Sequence, residues 1–528
     1  MFGPASFIKR CSLLYPNRLA LVSMDKTYTY RQIDELSDCF ARGLVRRGVK
    51  QGDRVAYLLG NNPASVVTYQ AIQRIGAVAA PINKRLLGLE IGDILRRVKA
   101  AALVFDDDVS DKVRAAVYGS GFEGLLVLVG SGRAELKAVP WAEVKDEGVL
   151  AGGEDVLESV VVSPADESLI LFSSSSTGAP KAAMRTAETV SMLSYVQVAD
   201  GGEDQSFQQV VYTQAPLYHL GGFLCMLKVM ATGSTLVMES HFNPERIFSL
   251  VEQYGVTQLY MIPPVLFSRL AVSEARRGRS FPAVRQAQCA GGRTTPHDVD
   301  AIFDLFPNCR LRVSFGSTES GAVSTAYIDK QGYLACPSLA YSAGFANMAT
   351  EIRLESPDGQ EVKAGEVGEL LVRSPMLFSG YLDDAGVCQR PEALRDDGFF
   401  ETGDLMIRNQ QGLYVFMDRL KDMVKTGGEN VCATTVESVV CQYPGIAECA
   451  VIGVPDEMYG EGVAAAVVME AGVSPVDGRD LREFCRSYLS GFSIPRYVGV
   501  MDELPRNSVG KVQKRALKEM TDLFILCA

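Results

Sequence analysis

The sequence predicts an α/β fold in which helices cover largely parallel sheets, followed by a smaller α+β unit near the C-terminus. Short apolar runs alternate with helical stretches through the first third of the chain, a pattern typical of parallel sheets. The 528 residues exceed one ordinary core, so we expect two or more domains. From Met348 the pattern changes to strands joined by tight turns, and after Lys421 it becomes a short α+β succession.

The first elements follow from local signals. Thr29 and Gln32 have the spacing of a capping box, and Gly48 is expected to end the helix that they begin. Asn62 is expected to open a second helix, which Gly76 closes. Residues 188–209 are polar and predict no clear element. The apolar runs that predict strands are 19–22, 54–59, 102–105, 125–129, 167–172, 258–262, 283–290 and 310–315.

The last third predicts a different architecture. Two antiparallel strands are joined by a turn sequence, Ser356-Pro357-Asp358-Gly359. A short alternation of helices and strands follows it. The predicted strands are 350–354, 367–372, 449–453 and 463–469, and the predicted helices are 434–443 and 478–489.

Composition excludes several classes of function. The net charge of −11, from 52 basic and 63 acidic residues, argues against a nucleic-acid-binding surface. No apolar run reaches the roughly 18 residues that a membrane span needs, and the N-terminus predicts no signal peptide. Twelve cysteines without a CxxC pair favour the reducing cytoplasm over a disulfide framework. Only three histidines are present, which nearly excludes a histidine-rich metal site.

A serine-rich loop between Ser173 and Lys181 follows the predicted strand at 167–172. Backbone N–H groups, hydroxyls and a cation are what a polyphosphate needs. The loop is not a Walker A motif, because the required spacing is absent and Ala182 follows the lysine. A serine-rich surface linker remains the alternative interpretation at this point.

Other stretches carry weaker signals. His219 precedes Gly221-Gly222, glycines that let a backbone or a ligand come close, and a structural histidine is an equal alternative. Glu319, in a Ser/Gly-rich turn, suits a magnesium ligand beside a nucleotide, whereas the alternative is an ordinary turn. His241 and His297 have no such setting and are interpreted as ordinary residues.

Two further stretches lie near the C-terminus. Asp404 could accept hydrogen bonds from the two hydroxyls of a ribose with Arg419 beside it, and the alternative is a hairpin with an exposed ion pair. Lys511 lies at the tip of a Pro- and Gly-containing loop, where the alternative is a solvated basic tail.

The order and spacing of these stretches carry more information than any one of them. From about Leu13 to Lys518 the chain resembles the acyl-adenylate-forming superfamily, which contains acyl-CoA synthetases, adenylation domains of peptide synthetases and beetle luciferases. The matching stretches are Ser173 to Lys181, Pro216 to His219, Gly291-Gly292, Phe315 to Glu319, Gly368 to Tyr381, Glu401 to Leu405, Asp418 to Gly428, and Pro505 to Lys511.

The resemblance implies an architecture and a reaction. A large N-terminal domain (1–420), with helix-covered sheets and a small β-barrel-like region, would precede a mobile α+β lid domain (421–528), with Lys421 as the hinge. A carboxylate would attack the α-phosphorus of Mg-ATP to give acyl-AMP, and coenzyme A would then displace AMP. Neither step needs a protein nucleophile, so the protein must neutralise charge, align the reactants and exclude water.

The resemblance also implies a role for individual residues. Lys511, Thr318, Glu319, His219 and Lys181 would be catalytic, with Glu319 as the Mg²⁺ ligand, Lys511 on the α-phosphate and His219 near the carboxylate. The residues implied to bind ATP or coenzyme A are Ser173, Ser174, Ser176, Thr177, Gly178, Lys181, Gly292, Phe315, Gly316, Thr318, Asp404, Arg419, Lys425, Gly427 and Gly428. Those implied to line the acid pocket are Tyr218, His219, Phe223, Cys289, Gly291, Ser314 and Ser317.

The sequence departs from the family pattern at four positions. Ser175 and Ala182 stand where glycines are usual, Phe315 replaces a commoner tyrosine, and Lys514 replaces arginine. None of these changes removes a charge that the mechanism requires, so we expect an active enzyme.

We therefore expect a cytoplasmic acid–CoA ligase that uses ATP, Mg²⁺ and coenzyme A on a medium apolar or aryl acid. It is expected to bind no nucleic acid and to lack a membrane span. A stand-alone adenylating enzyme that serves a carrier-protein thiol is the alternative, and a luciferase-like or inactive homologue is less favoured. The sequence leaves a homodimer open.

Overall fold

The computed structural model describes residues 3–131, 136–149, 155–173, 180–201, 208–470, 472–506 and 512–527. The α-helices, α1 to α15, are Ala5–Leu14, Tyr30–Arg46, Pro63–Ile75, Gly88–Val98, Ser110–Ser120, Trp141–Glu147, Ala187–Gly201, Leu220–Thr232, Pro244–Tyr254, Val265–Ala271, Pro296–Leu305, Lys330–Ala335, Ala433–Val440, Gly478–Arg486 and Lys514–Glu519.

The strands, β1 to β28, are Leu19–Ser23, Lys26–Thr29, Arg54–Leu58, Val78–Pro81, Ala102–Asp106, Leu125–Val129, Val139–Pro140, Glu167–Ser173, Lys181–Thr186, Val210–Thr213, Thr235–Met238, Gln258–Met261, Gln286–Cys289, Arg310–Ser317, Gly321–Ile328, Ser342–Ala346, Glu351–Glu355, Val367–Arg373, Gly380–Leu382, Cys388–Gln389, Phe400–Arg408, Tyr414–Arg419, Val424–Thr426, Glu429–Val431, Ile446–Asp456, Gly460–Met469, Tyr497–Val500 and Ile525–Leu526.

The chain divides into two compact units. Unit 1 contains Met1–Glu351 and Val372–Phe400, and unit 2 contains Ile352–Leu371 and Glu401–Ala528. This division places β21 and β22 with the C-terminal residues. A boundary at Lys421 therefore remains a proposal that rests on the resemblance.

The first sheet of unit 1 has the strand order β20-β19-β9-β8-β4-β3-β5-β6-β7. Strands β3 to β8 pair in parallel, whereas β9 is antiparallel to β8 and to β19. Apolar residues of α2 and α3 pack on one face, and those of α4 and α5 pack on the other. Helices on both faces explain why these strands are nearly continuous apolar runs.

In the second sheet, the strands of unit 1 follow the order β16-β15-β14-β13-β12-β10-β11-β1-β2. Strands β1, β10, β11, β12, β13 and β14 pair in parallel. Helices α9, α10 and α11 cover one face, and α8 covers the other. The helix-covered parallel sheets confirm the predicted α/β class, and the carboxyl ends of β10, β12, β13 and β14 lie along one edge.

The predicted helix starts are confirmed. Gln32 N donates to Thr29 Oγ1 at 3.3 Å, and Thr29 N donates to Gln32 Oε1 at 2.8 Å, which completes the capping box of α2. Asn62 Oδ1 accepts from Ser65 N at 3.1 Å to cap α3, and Gly76 ends that helix with φ of 70°.

Residues 188–209, which predicted no element, contain most of α7. Its serines satisfy their hydroxyls inside the helix: Ser191 Oγ donates to Ala187 O at 2.7 Å, and Ser194 Oγ donates to Val190 O at 3.1 Å. The helix is buried on several sides, so its sequence lacks the polar stripe that would indicate helical periodicity. No helix in the described part of the chain is long and apolar enough to cross a bilayer.

In unit 2, β17, β18, β21 and β22 are neighbours in that order. A second sheet has the order β24-β23-β26-β27-β28, and β25 pairs with β26. Helices α13 and α14 pack on this sheet around an apolar cluster. The succession agrees with the predicted small α+β unit.

Candidate active site

A tight turn between β14 and β15 presents Glu319. Ser317 Oγ accepts from Glu319 N at 3.2 Å and from Ser320 N at 3.0 Å, which fixes the backbone of the turn. A Cβ on Gly316 would lie 2.0 Å from Gly321 O, so only glycine fits there. The glycines of this motif therefore shape the hairpin that holds Glu319.

The side chain of Arg185 donates hydrogen bonds to the backbone of this turn, within unit 1. This side chain is fully buried, and its Nη2 donates to Thr318 O at 2.6 Å and to Glu319 O at 3.2 Å. Nη1 donates to Met376 O, and Phe378 N donates to Glu319 O at 2.9 Å. Burial lowers the pKa of Arg185 to about 10, although the charge of Glu319 acts in the opposite direction. Arg185 is thus a positioning residue for the turn.

Sequence reasoning missed Arg185. The available signal was one arginine directly after a run of small and apolar residues, Ala182-Ala183-Met184. A charged group in a buried strand needs hydrogen-bond partners, so a positioning role for this arginine could have been predicted.

We predict that Arg185→Met lowers the free energy of unfolding by about 3 to 5 kcal/mol, because the carbonyl oxygens of Met376 and Thr318 lose the donor that Arg185 supplies and Glu319 O keeps only Phe378 N. The folded fraction should also show a higher KM for Mg-ATP, because the Glu319 turn loses its support. Urea unfolding and nucleotide kinetics measure both effects. Arg277→Met, at a side chain that is 86% exposed, is the matched control. Equal stability of the two variants would contradict the assignment.

Lys181, Tyr381 and Glu319 form one cluster in unit 1. The Tyr381 hydroxyl donates to Glu319 Oε1 at 2.8 Å, and Lys181 Nζ lies 4.9 Å from the centre of the Tyr381 ring. Burial, together with the Glu319 charge, raises the pKa of Tyr381, so its hydroxyl stays a donor. Tyr381 ends the matching stretch Gly368 to Tyr381 and has no role predicted from the sequence; its ring contacts the cation and its hydroxyl contacts the carboxylate.

The residues at the two ends of the serine-rich loop are paired in the first sheet. Ser173 ends β8 and Lys181 begins β9, and the two residues are register partners in the antiparallel pair. Ala182 is buried and faces the core. The predicted phosphate-binding residues Ser174, Ser176, Thr177 and Gly178, and the departure Ser175, lie outside the described residues.

The segment before α8 packs tightly. A Cβ on Gly222 would lie 2.3 Å from Pro216 O, and one on Gly221 would lie 2.5 Å from Ile262 Cδ1. His219 is the N-cap residue of α8, and its ring contacts the ring of Tyr218 at 4.7 Å. The paired glycines therefore bring the backbone of α8 close to its neighbours.

Two predicted pocket residues lie in buried apolar clusters. Phe223 is fully buried in an apolar cluster and packs edge-on against Tyr69, with ring centres 4.9 Å apart. Cys289 lies in the apolar cluster under α9 and α11, on the β13 face opposite to Gln288. Neighbouring strand residues point to opposite faces, so Gln288, which donates to Ser314 Oγ at 3.4 Å, lies on the other face of β13.

The glycines after β13 contact the segment after β12. A Cβ on Gly291 would lie 2.8 Å from Ile262 Cγ2, and one on Gly292 would lie 3.2 Å from Pro264 Cδ. Phe315 and Ser317 belong to β14, next to β13 in the sheet. The structure thus groups Gly291, Gly292 and the end of β14 at the carboxyl edge.

Unit 2 holds the second group of predicted residues. Asp404 is buried and is the register partner of Arg419, whose Nε lies 3.1 Å from Asp404 Oδ1. Gly427 and Gly428, with φ of 58° and 87°, form the two-residue turn between β23, which contains Lys425, and β24. The positive φ values of the turn explain why both residues are glycines. Their contact with coenzyme A remains a proposal.

Two further predicted positions are Lys421 and Lys511. The predicted hinge residue Lys421 lies in a 3₁₀ turn at Leu420–Asp422. Lys511 lies outside the described residues. Lys514, the departure from arginine, forms an ion pair with Glu437 at 2.8 Å.

Comparisons with known proteins identify the family. The profile described as AMP-binding enzyme matches residues 9–382, and that described as AMP-binding enzyme C-terminal domain matches residues 435–511. A feruloyl-CoA synthase of Amycolatopsis is 32% identical over 522 residues, which cover 97% of this chain and 98% of the relative. A 2-succinylbenzoate–CoA ligase of Listeria monocytogenes is 27% identical, covering 96% of this chain and 97% of the relative.

A solved structure agrees with this assignment. ATP-bound MatB from Rhodopseudomonas palustris superposes with a TM-score of 0.85 at 26% identity, covering 98% of this chain and 99% of that chain. The chain therefore belongs to the AMP-binding enzyme family, within its acyl-CoA synthetases.

Proposed function

We propose that this enzyme activates a carboxylic acid with ATP, forming acyl-AMP and pyrophosphate, and then transfers the acyl group to coenzyme A with release of AMP. The observation that carries the proposal is the Lys181–Tyr381–Glu319 cluster, with its turn supported by buried Arg185. A cation and a carboxylate fixed at the carboxyl edge of parallel strands suit a magnesium–polyphosphate substrate.

The chain's residues position and neutralise rather than attack. Lys181 and the serine-rich loop would bind the β- and γ-phosphates, and Thr318 would contact the α-phosphate. Lys511 would stabilise the charge that builds on the α-phosphate as the acid attacks. Each substrate supplies its own nucleophile, the carboxylate in the first step and the thiol in the second.

Glu319 fits the role of magnesium ligand. Its carboxylate is a hard oxygen donor of the kind that Mg²⁺ prefers, and the Tyr381 hydroxyl orients it. A bound Mg²⁺ would offset the charge of the phosphate oxygens. In unit 2, the buried Asp404 carboxylate suits the two ribose hydroxyls, with Arg419 beside it.

The acceptor proposed is coenzyme A, since the curated relatives are named as CoA synthases and CoA ligases. The acid proposed is of medium size, apolar or aryl, because two of those relatives are named for aryl acids. The cytoplasm remains the proposed location, which agrees with twelve cysteines that are all free thiols.

The choice of acceptor can be tested by comparing thiols. We predict that coenzyme A accelerates AMP release from the acyl-AMP complex, whereas a phosphopantetheinylated carrier protein at the same concentration does not. Rapid quenching with labelled ATP measures this rate. If the carrier protein accelerated AMP release more than coenzyme A does, the enzyme would instead be a stand-alone adenylating enzyme that serves a carrier protein.

A further inference from the structure

Helix α8 carries one charged residue, Lys228, in an otherwise apolar and uncharged sequence. Lys228 is only 5% exposed, and its Nζ donates to Gln258 Oε1 at 3.0 Å. Burying an ammonium group is costly unless polar partners surround it. The interior beside α8 must therefore be polar where Lys228 enters it.

A small cavity of about 10 Å³ lies beside this lysine, between α7, α8 and the second sheet of unit 1. Its polar lining comprises Gln197, Lys228, Gln258, Tyr260 and Gln288, none more than 7% exposed. The volume is about what one oxygen-sized group requires. The cavity therefore suits a terminal polar group rather than an extended hydrocarbon tail.

The adjacent strand adds a second buried cation. Arg312 is the register partner of Gln288 and is fully buried, 3.3 Å from Asp200 Oδ2. Among the described residues, its Nε and Nη1 have no hydrogen-bond partner. Together Lys228 and Arg312 place hydrogen-bond donors and positive charge on this side of the sheet.

Tyr260 extends from the cavity towards the first turn of α8, the helix whose N-cap is His219. Tyr260 lines the cavity, and the Tyr260 hydroxyl lies only 3.1 Å from where a Cβ on Gly221 would stand, in the first turn of α8. Leu224 and Lys228 continue the same helix face. From Gly221 to Lys228 the helix rises by about 10 Å, which is a suitable depth for a medium-sized acid.

We propose that this polar cavity is the far end of the acid pocket and that it selects carboxylic acids carrying a hydrogen-bond-accepting oxygen group, a hydroxyl or a second carboxylate, at the end remote from the reacting carboxylate. This inference rests on the proposed function and adds a remote oxygen group to the medium-sized apolar or aryl acid proposed there. Lys228 and Gln288 are the specificity-determining residues.

The substrate test compares acids that share a skeleton and differ at the end remote from the reacting carboxylate. The aryl set is 3-(4-methylphenyl)propenoic acid with its 4-hydroxy and 4-carboxy counterparts, and the straight-chain set is hexanoic, 6-hydroxyhexanoic and hexanedioic acids. Acid-dependent pyrophosphate release gives kcat/KM for each. In at least one set, we expect the best oxygen-bearing acid to exceed the apolar member by about tenfold or more. A preference for the hydroxyl or for the carboxylate identifies which oxygen group the site takes.

Two outcomes would overturn the proposal differently. If the apolar member is the best substrate of both sets, the acid pocket has no polar end and this inference fails while the ligase function stands. If no acid releases pyrophosphate, the proposed function fails, and this inference fails with it.

The residue test uses Lys228→Met, which keeps an unbranched side chain of similar length without its charge. We expect kcat/KM for the preferred oxygen-bearing acid to fall by about 10- to 100-fold, whereas the apolar acid is unchanged or improved. Gln288→Leu should change the same preference in the same direction, and it provides a second variant if Lys228→Met does not fold. Equal losses for polar and apolar acids would contradict the specificity role.

Lys26→Met, at an exposed lysine of β2, is the matched control and should leave every ratio unchanged. The thermal unfolding midpoint and ATP binding establish that each variant is folded with an intact nucleotide site. The ratio between two acids is independent of the amount of active protein, so partial unfolding cannot mimic the expected change.

Discussion

Lys511→Ala is expected to reduce the rate of acyl-AMP formation by about 10²- to 10³-fold, the loss typical of removing one preorganised group that stabilises transition-state charge. The second step should be nearly unaffected, because Lys511 is proposed to act on the α-phosphate only during adenylation. Supplying synthetic acyl-AMP with coenzyme A, and measuring thioester by chromatography, separates the two steps.

Lys518→Ala is the matched control for this variant, since Lys518 is an exposed lysine of the nearby helix α15. It should leave both steps unchanged. Equal losses of both steps in Lys511→Ala would refute the assignment, because they would indicate a structural effect or a role outside adenylation.

Glu319→Gln is expected to lower kcat/KM for Mg-ATP by about 10²- to 10³-fold, while the fold is retained. The amide keeps the shape of the side chain and can still accept from the Tyr381 hydroxyl, but it loses the negative charge that attracts the metal. The Mg²⁺ concentration for half-maximal rate should rise as well. A titration of activity against Mg²⁺ at saturating ATP measures this shift.

The control for that experiment is Glu274→Gln, at a carboxylate that is 92% exposed. It removes the same charge from unit 1 without touching the Lys181–Tyr381–Glu319 cluster. If Glu319→Gln showed the same Mg²⁺ dependence as this control, Glu319 would not be the metal ligand.

The sequence predicted those parts of the fold that are determined locally. The Thr29–Gln32 capping box and the Asn62 and Gly76 ends of α3 depend on neighbours a few residues away, and the structure contains all of them. Helix α7 was not predicted, because tertiary burial on several sides removes the amphipathic pattern on which such a prediction depends.

The candidate site likewise contains residues that sequence motifs predict and residues that only the tertiary structure identifies. Lys181, Thr318 and Glu319 lie in recognisable motifs, whereas the role of Arg185 arises from contacts with residues 133 or more positions away. Cys289 and Gln288 are adjacent in β13 and point to opposite faces. Because helices cover both faces of this sheet, the sequence pattern gives no rule for choosing the face that lines the pocket.

The most direct test of the central claim is the exchange of labelled pyrophosphate into ATP without coenzyme A. Exchange is expected to require both Mg²⁺ and a carboxylic acid, because adenylation is reversible while acyl-AMP stays bound. Absence of acid-dependent exchange across a broad panel of apolar, aryl, hydroxy and dicarboxylic acids would contradict the claim.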